Sequence, residues 1–250
     1  TVLCSETRPN AKPENVSSNN NLKLHPFMIS ANVIQRTFHI KYNGSTGTSF
    51  VIDIDNRQYF VTAKHVIENL HGTAIIEVFF NSEWQQVEAT LVGHSQHSDI
   101  SVMSIPSLKN GSDNVIAESA NIIYGQDIYF LGFPYGIQSD VGELNSNLPM
   151  PLVKKGIVSN FLFESPRKVL LLDGHNNPGF SGGPVIYRNV YDNSLRIAAI
   201  ISGFRYEIIN AEHQNNVIDI QVKTNTGIII SYGIEAAIEL IKANPIGLEL

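Results

Sequence analysis

A chain of 250 residues can hold two small domains or one large all-β unit, and with 43% hydrophobic and 16% charged residues it can bury a sizeable core. A net charge of -6 offers no basic face to a phosphate backbone, which excludes nucleic acid as a partner. No apolar run approaches the roughly 18 to 20 residues that cross a bilayer, and no apolar segment with a cleavage site follows a basic start, so no membrane span is expected.

Residues 1–28 are rich in Asn, Ser, Glu and Pro without apolar periodicity, which predicts a polar arm outside the core. Such an arm could dock a regulatory protein partner, or simply trail as a tail. It holds the only cysteine, Cys4, so no internal disulfide can form, and a cytoplasmic setting is favoured over a periplasmic one. Leu3 is too large for the small residue that a lipid-attachment cysteine needs before it.

From Val33 onward, short apolar or alternating runs recur between clusters of Gly, Asn, Asp and Pro. They fall at 50–54, 59–62, 75–80 and 101–105, then at 128–131, 156–159, 169–172, 197–201 and 227–230. Runs this short and this frequent predict an all-β barrel or sandwich. The stretch 107–121 reads as a joint between two halves. Near the end, Ile234, Ala237, Ile238 and Ile241 share one helical face, and Asn244-Pro245 stops that helix. The division expected is an arm at 1–28, a first barrel at 29–115, a second at 116–232, and a closing helix and tail at 233–250.

The strongest local signal is Asn177-Pro178-Gly179-Phe180-Ser181-Gly182-Gly183-Pro184, a serine flanked by glycines in a turn between apolar strands. A serine attacking a carbonyl needs backbone N–H groups aimed at the developing oxyanion, and the chain must approach the substrate closely. Gly179 and Ser181 would supply those donors. The segment also fits the G-x-S-x-G elbow of α/β-hydrolases, with Asp192 and His213 downstream. That elbow needs a helix directly after the serine, and Gly182-Gly183-Pro184 opposes one. Two further signals are Thr62-Ala63-Lys64-His65, a histidine leaving a strand, and Asp99-Ile100-Ser101-Val102, an aspartate opening one. Taken singly, such a histidine is more often a surface or satisfied core residue, and such an aspartate an ordinary strand-start carboxylate. His94 and His97 lie near Asp99, but their spacing fits no strong metal pattern, and no metal or other cofactor is expected.

Together, in this order, the three motifs resemble the trypsin-like peptidase family in its bacterial HtrA/Deg branch. The segments Gly125-Gln126-Asp127-Ile128, Lys155-Gly156-Ile157-Val158-Ser159 and Asn225-Thr226-Gly227-Ile228 are similar to strands of the second barrel in that branch. The resemblance covers about 44–241. It implies two perpendicular six-stranded β-barrels with a C-terminal helix and a site in the cleft between them. It further implies a serine endopeptidase acting on polypeptides through an acyl-enzyme, with His65, Asp99 and Ser181 as triad and the Gly179 and Ser181 N–H groups as oxyanion hole. A catalytically silent or partner-regulated peptide-binding module on the same fold is the alternative.

Phe180 stands where digestive members keep an aspartate that pairs with a freshly cut N-terminus, so that switch is not expected to operate. No sequence after Leu250 remains for the PDZ domain that many relatives carry, and Lys64 replaces a small residue. By the same resemblance the specificity pocket is lined by His175, Asn176, Ser202, Gly203, Phe204 and the strand around Gly227. With no carboxylate at its base and Phe204 shortening it, the expected order is small aliphatic, then Gln or Glu, then aromatic, with Lys and Arg last.

Overall fold

The computed structural model describes residues 29–164, 167–213 and 216–250; the polar arm and Cys4 lie outside them. A short helix α1 (Ala31–Gln35) leads into β1 (Thr37–Tyr42), β2 (Ser45–Ile54), β3 (Arg57–Thr62), β4 (Thr73–Phe80), β5 (Glu83–His94) and β6 (Ser101–Ser104). After β7 (Ile116–Ala117) come β8 (Asp127–Gly132), β9 (Leu152–Glu164), β10 (Arg167–Asp173), β11 (Pro184–Arg188), β12 (Leu195–His213) and β13 (Asn216–Gly233). Helix α2 (Glu235–Ala243) and β14 (Leu248–Glu249) complete the chain.

Each set of six strands closes on itself through antiparallel pairs. The first ring runs β1-β2-β3-β6-β5-β4 and returns to β1. The second runs β8-β9-β10-β13-β12-β11 and returns to β8. Counted within each ring, the cyclic order is the same, first-second-third-sixth-fifth-fourth, although no sequence repeat announces it. β7 adds a parallel pairing to β12, and β14 caps the start of β3.

The continuous apolar runs follow from where these strands lie. Side chains alternate across a strand, yet here both faces are covered. Val51, Phe60 and Met103 fill the first barrel with Phe38 and Ile40. Their neighbours Phe50, Ile52, Tyr59, Val61 and Val102 pack in a cluster with Leu131, Ile186 and Ile200 of the second ring and with Ile234, Ala237 and Ile241 at α2. Phe130, Val185, Ala199, Ile201 and Ile229 fill the second ring. A ring interior on one side and the other ring on the opposite side leave these strands no wet face; each fully buried Val, Leu, Ile or Phe side chain is worth about 1.5–3 kcal/mol.

Sequence periodicity passes over β5, because only Val87, Ala89 and Val92 of its residues are buried and the remainder is largely polar. It also stops short of the ends of β12 and β13, which run on as a hairpin paired from Tyr206↔Asn225 to Asn210↔Gln221. Beyond the ring this hairpin has little to pack against, and residues 205–210 are exposed.

Arg36, just after α1, is 2% exposed and pins the connection between the rings. Its guanidinium donates to both Asp53 oxygens at 3.1 and 2.6 Å, to Ser112 O at 2.6 Å and to Asp113 O at 2.8 Å. Removing one partner of such a pair leaves a buried charge, which costs about 3–5 kcal/mol. Asp53→Ala is therefore expected to lower the free energy of urea unfolding by about that amount; a loss below about 1 kcal/mol would mean the pair is a surface contact.

Candidate active site

The pairing of β3 with β6 sets Thr62 opposite Ser101. The residues just after Thr62 and just before Ser101 therefore meet. The first group forms a tight turn, Lys64–Val66, anchored by buried Ala63, Val66 and Ile67. His65 rides on that turn half exposed. Asp99 grips it at two points, accepting the His65 backbone N–H on Oδ1 at 2.9 Å and bonding ring Nδ1 through Oδ2 at 2.7 Å. A carboxylate can only accept, so Nδ1 carries the proton and the neutral ring keeps its lone pair on Nε2. Ser202 Oγ also donates to Asp99 Oδ2, at 2.6 Å.

Ser181 comes from the other ring, in the loop between β10 and β11. A strand rather than a helix follows it, which removes the α/β-hydrolase elbow. Asn177 O accepts the Phe180 N–H at 3.2 Å across a turn in which Gly179 has φ +107. In that conformation a Cβ at Gly179 would stand 2.4 Å from Phe133 O. Pro178 O accepts from the Tyr135 N–H at 3.0 Å, and Phe180 O from the Gly183 N–H at 2.8 Å. In a trans peptide N–H and C=O point opposite ways. Anchoring those two carbonyls therefore turns the Gly179 and Ser181 N–H groups to the other side, and neither has an acceptor among the described residues. The Ser181 hydroxyl rests on Ser202 O at 3.2 Å rather than on His65.

The expected pocket residues divide. His175, Asn176 and Phe204 line a cavity of about 310 Å³, together with Tyr135, Tyr206, Lys223 and Asn225. Asn176 is buried, with Oδ1 unpartnered, and its carbonyl accepts from Asn225 Nδ2 at 2.7 Å. Ser202 is engaged with Asp99 and Ser181 instead, through its hydroxyl and carbonyl. Gly203 stands opposite Ile230 in the β12–β13 ladder, and Gly227 supplies the carbonyl that accepts the Gly174 N–H at 2.9 Å. A second cavity, of about 510 Å³, borders the Pro178-Gly179 segment and is lined by His39, Trp84 and Tyr135 among others. Lys64 reaches Ser95 O, and the ring nitrogens of His94 bond Ser101 Oγ and Leu70 O.

Sequence reasoning missed two groups here, Thr48 and Lys223, and gave Ser202 a place in the pocket wall rather than a contact with Asp99. Thr48 touches the Ser181 loop from β2, Lys223 enters the cavity from the hairpin, and Ser202 supports Asp99. None carries a motif, and each is brought in by strand pairing between distant segments.

Residues 47–190 match the family described as "Trypsin-like peptidase domain". Among curated proteins, the "Probable periplasmic serine endoprotease DegP-like" of Buchnera aphidicola subsp. Schizaphis graminum is 29% identical over 156 residues, 62% of this chain and 30% of that protein. The "Periplasmic serine endoprotease DegP" of Escherichia coli is 28% identical over 143 residues, 57% of this chain and 28% of that one. The chain thus spans less than a third of the length of these relatives. Among solved structures, an inactive form of Rv3671c from M. tuberculosis aligns with a TM-score of 0.55 at 16% identity, covering 95% of this chain and 96% of its own. The HtrA-type protease AlgW with tripeptide gives 0.57 at 20% identity, covering 86% of this chain and 63% of its own. At such identities these likenesses concern the fold.

The His65–Asp99 contact sets the local electrostatics. The hydrogen bond to Asp99 raises the His65 pKa against the opposing pull of burial, and the charges of Asp99 and Glu68 raise it further, above the ordinary 6.5. Burial would push Asp99 up, but the bonds from the His65 ring, the Ser202 hydroxyl and the His65 N–H hold its carboxyl below the ordinary value. The raised histidine contributes stability that is fully present below its unfolded pKa and is lost as pH rises through the folded one. The depressed carboxyl contributes stability above its unfolded pKa that is lost as pH falls. In NMR titrations His65 is expected to titrate above 6.5, and Asp99→Asn to lower the midpoint, since burial then acts with less opposition. An unchanged midpoint in the variant would separate the two groups.

Proposed function

The chain belongs to the trypsin-like peptidase domain family, and from that premise we propose a serine endopeptidase of HtrA/Deg type with Ser181 as nucleophile, His65 as general base and Asp99 orienting the base. The observation that carries this reading is the two-point grip of Asp99 on His65, which leaves Nε2 as the acceptor. For reaction, the Ser181 hydroxyl must leave the Ser202 carbonyl and donate to Nε2. As Oγ attacks the scissile carbonyl carbon, His65 takes the proton, and Asp99 stabilises the imidazolium. The carbonyl oxygen becomes an oxyanion held by the Gly179 and Ser181 N–H groups. When the intermediate collapses, His65 protonates the leaving amine and an acyl-enzyme remains on Ser181. Water then attacks the ester with His65 again as base, releasing the acid and restoring the serine.

The cavity that holds His175, Asn176 and Phe204 is proposed to receive the side chain before the cut bond. Lys223 adds a cation whose ammonium lies 4.7 Å from the Tyr206 ring centroid. A Lys or Arg side chain would meet like charge there and no carboxylate among the lining residues, whereas Glu or Gln finds partners. These groups move Glu and Gln ahead of small aliphatic residues, with Lys and Arg still last.

One observation favours a second reading. The Ser181 hydroxyl bonded to Ser202 O instead of His65 would suit a peptide-binding module that holds without cutting. Fluorophosphonate labelling of Ser181 separates the two, since only an activated serine reacts.

Ser181→Ala and His65→Ala are each expected to cut peptide hydrolysis by about 10⁴- to 10⁶-fold, and the double variant to be little worse, because the residues act as a unit. Losses that multiply would dismantle the shared mechanism. With a base that must be neutral, kcat/KM is expected to rise with pH through the raised His65 value. A peptide library should show Glu, Gln and small residues before the cut, and Lys223→Ala should lower the Glu-to-Gln ratio several-fold. A profile dominated by Lys or Arg would overturn the pocket assignment.

A further inference from the structure

Three segments of the site converge on one buried threonine. Thr48, in β2 of the first ring, has 0% of its surface exposed. Its Oγ1 donates to the Gly179 carbonyl at 2.7 Å and accepts from the Phe133 N–H at 3.2 Å. Its backbone N–H donates to Ser181 O at 2.8 Å, and its own carbonyl accepts from Thr62 Oγ1 at 2.7 Å, two residues before the buried-anchored turn that carries His65. The surroundings are shaped to admit it, because a Cβ at Gly132 would stand 2.7 Å from Oγ1.

What the hydroxyl holds matters more than the bond itself. Gly179 sits at φ +107 with no side chain to hold it there. Its orientation is set by the carbonyls on either side, Pro178 O on the Tyr135 N–H and Gly179 O on Thr48 Oγ1. If the second contact is released, the Gly179-Phe180 peptide, which links the two peptides that carry the Gly179 and Ser181 N–H groups, keeps only the 3.2 Å bond from the Phe180 N–H to Asn177 O, and the direction of those two N–H groups relative to each other is held less firmly. Phe180 brings no charge that could order the segment by an ion pair; it is buried against Phe130, with ring centroids 5.0 Å apart.

We propose that Thr48 is a positioning residue, which keeps segment 178–181 with its Gly179 and Ser181 N–H groups directed at the reacting carbonyl before substrate arrives. The inference rests on the peptidase reading above and assigns the oxyanion geometry to a hydroxyl from the opposite ring. Thr48 touches no substrate; it acts through Gly179.

The test compares the full chain with Thr48→Val, which keeps the shape and removes the hydroxyl, and Thr48→Ser, which restores it. Thr48→Val is expected to lower kcat about 10- to 100-fold while KM changes by less than about threefold, because the lost interaction matters most in the transition state. The pH midpoint of kcat/KM should stay in place, since His65 and Asp99 are untouched. Thr48→Ser should recover kcat to within about fivefold of wild type. Hydrogen exchange across 177–183, measured on the same proteins, should be faster in Thr48→Val than in wild type and slow again in Thr48→Ser. Unchanged kcat in Thr48→Val, a Ser variant no better than Val, or unchanged exchange would each overturn the proposal. If Thr48→Val does not fold, Thr48→Ala against Thr48→Ser makes the same comparison. A wild type that neither cleaves peptides nor labels with fluorophosphonate would remove the peptidase reading, while the exchange measurement still decides whether Thr48 holds the loop.

Discussion

The Ser181 loop lies against its neighbours backbone to backbone, and that closeness is the constraint around which the two rings are arranged. A Cβ at Gly182 would stand 2.0 Å from Thr48 O and 2.3 Å from Thr62 Oγ1; at Gly183 it would stand 2.1 Å from Leu131 O. At Gly182 the positive φ of +85 adds a conformational demand, whereas Gly183 is required for space alone. A side chain at either place would have to push a main chain aside, which no rotamer change could relieve. Because Thr48 and Thr62 belong to the first ring and Leu131 to the second, these contacts seat the serine loop at the seam, within reach of both.

The shared strand order explains why the functional side chains gather there. In each ring the third strand pairs with the sixth, so the connection leaving the third meets the residues that lead into that pairing on the other side. In the first ring those segments carry His65 and Asp99, joined across the Thr62↔Ser101 pair. In the second the connection 174–183 meets the stretch of β13 just before Ile228, joined across Asp173↔Ile228 and by the Gly174–Gly227 bond. On the proposed reading, one ring offers a base with its orienting carboxylate, and the other a nucleophile with a lined cavity. Neither set is complete alone, so the chemistry proposed depends on the packing of Phe50, Val61, Leu131 and Ile200 between the rings.

The sequence was most legible where local chemistry and local structure coincide. The serine segment needs glycines for space and dihedrals within a few residues, so its pattern survives as a readable string. Strands with both faces buried, such as 59–62 and 128–131, announced themselves as apolar runs. β5 did not, because its exposed face is polar over most of its length. The cavity was legible only in part, since His175 and Phe204 sit near motifs while Lys223 arrives from a hairpin whose length no periodicity marks. Thr48 was silent for a related reason. A buried threonine in a strand looks like any β-branched residue until the segment it touches, 131 residues away, is known.

Phe180 shows how one substitution changes the physical means of ordering a loop. An aspartate in that place needs a cation beside it, such as the freshly cut chain end that pairs with it in digestive relatives. A phenylalanine needs only an apolar socket, and here Phe130 provides one face while the Lys154 ammonium lies 5.6 Å from the ring centroid. Lys154 also donates to Asn177 Oδ1 at 3.0 Å and to the His175 carbonyl, so its charge is spent on the loop's own backbone and side chains. Burial lowers its pKa, as expected for a cation drawn partly out of water. The ordering contacts thus come from within the fold: an aromatic anchor in the second ring, a lysine across the loop and a hydroxyl from the first ring. None of them requires a cleavage event or a liberated terminus. Such a loop would be set by folding itself, and on the peptidase reading proposed above, control would act on access to the cleft or on the seam between the rings.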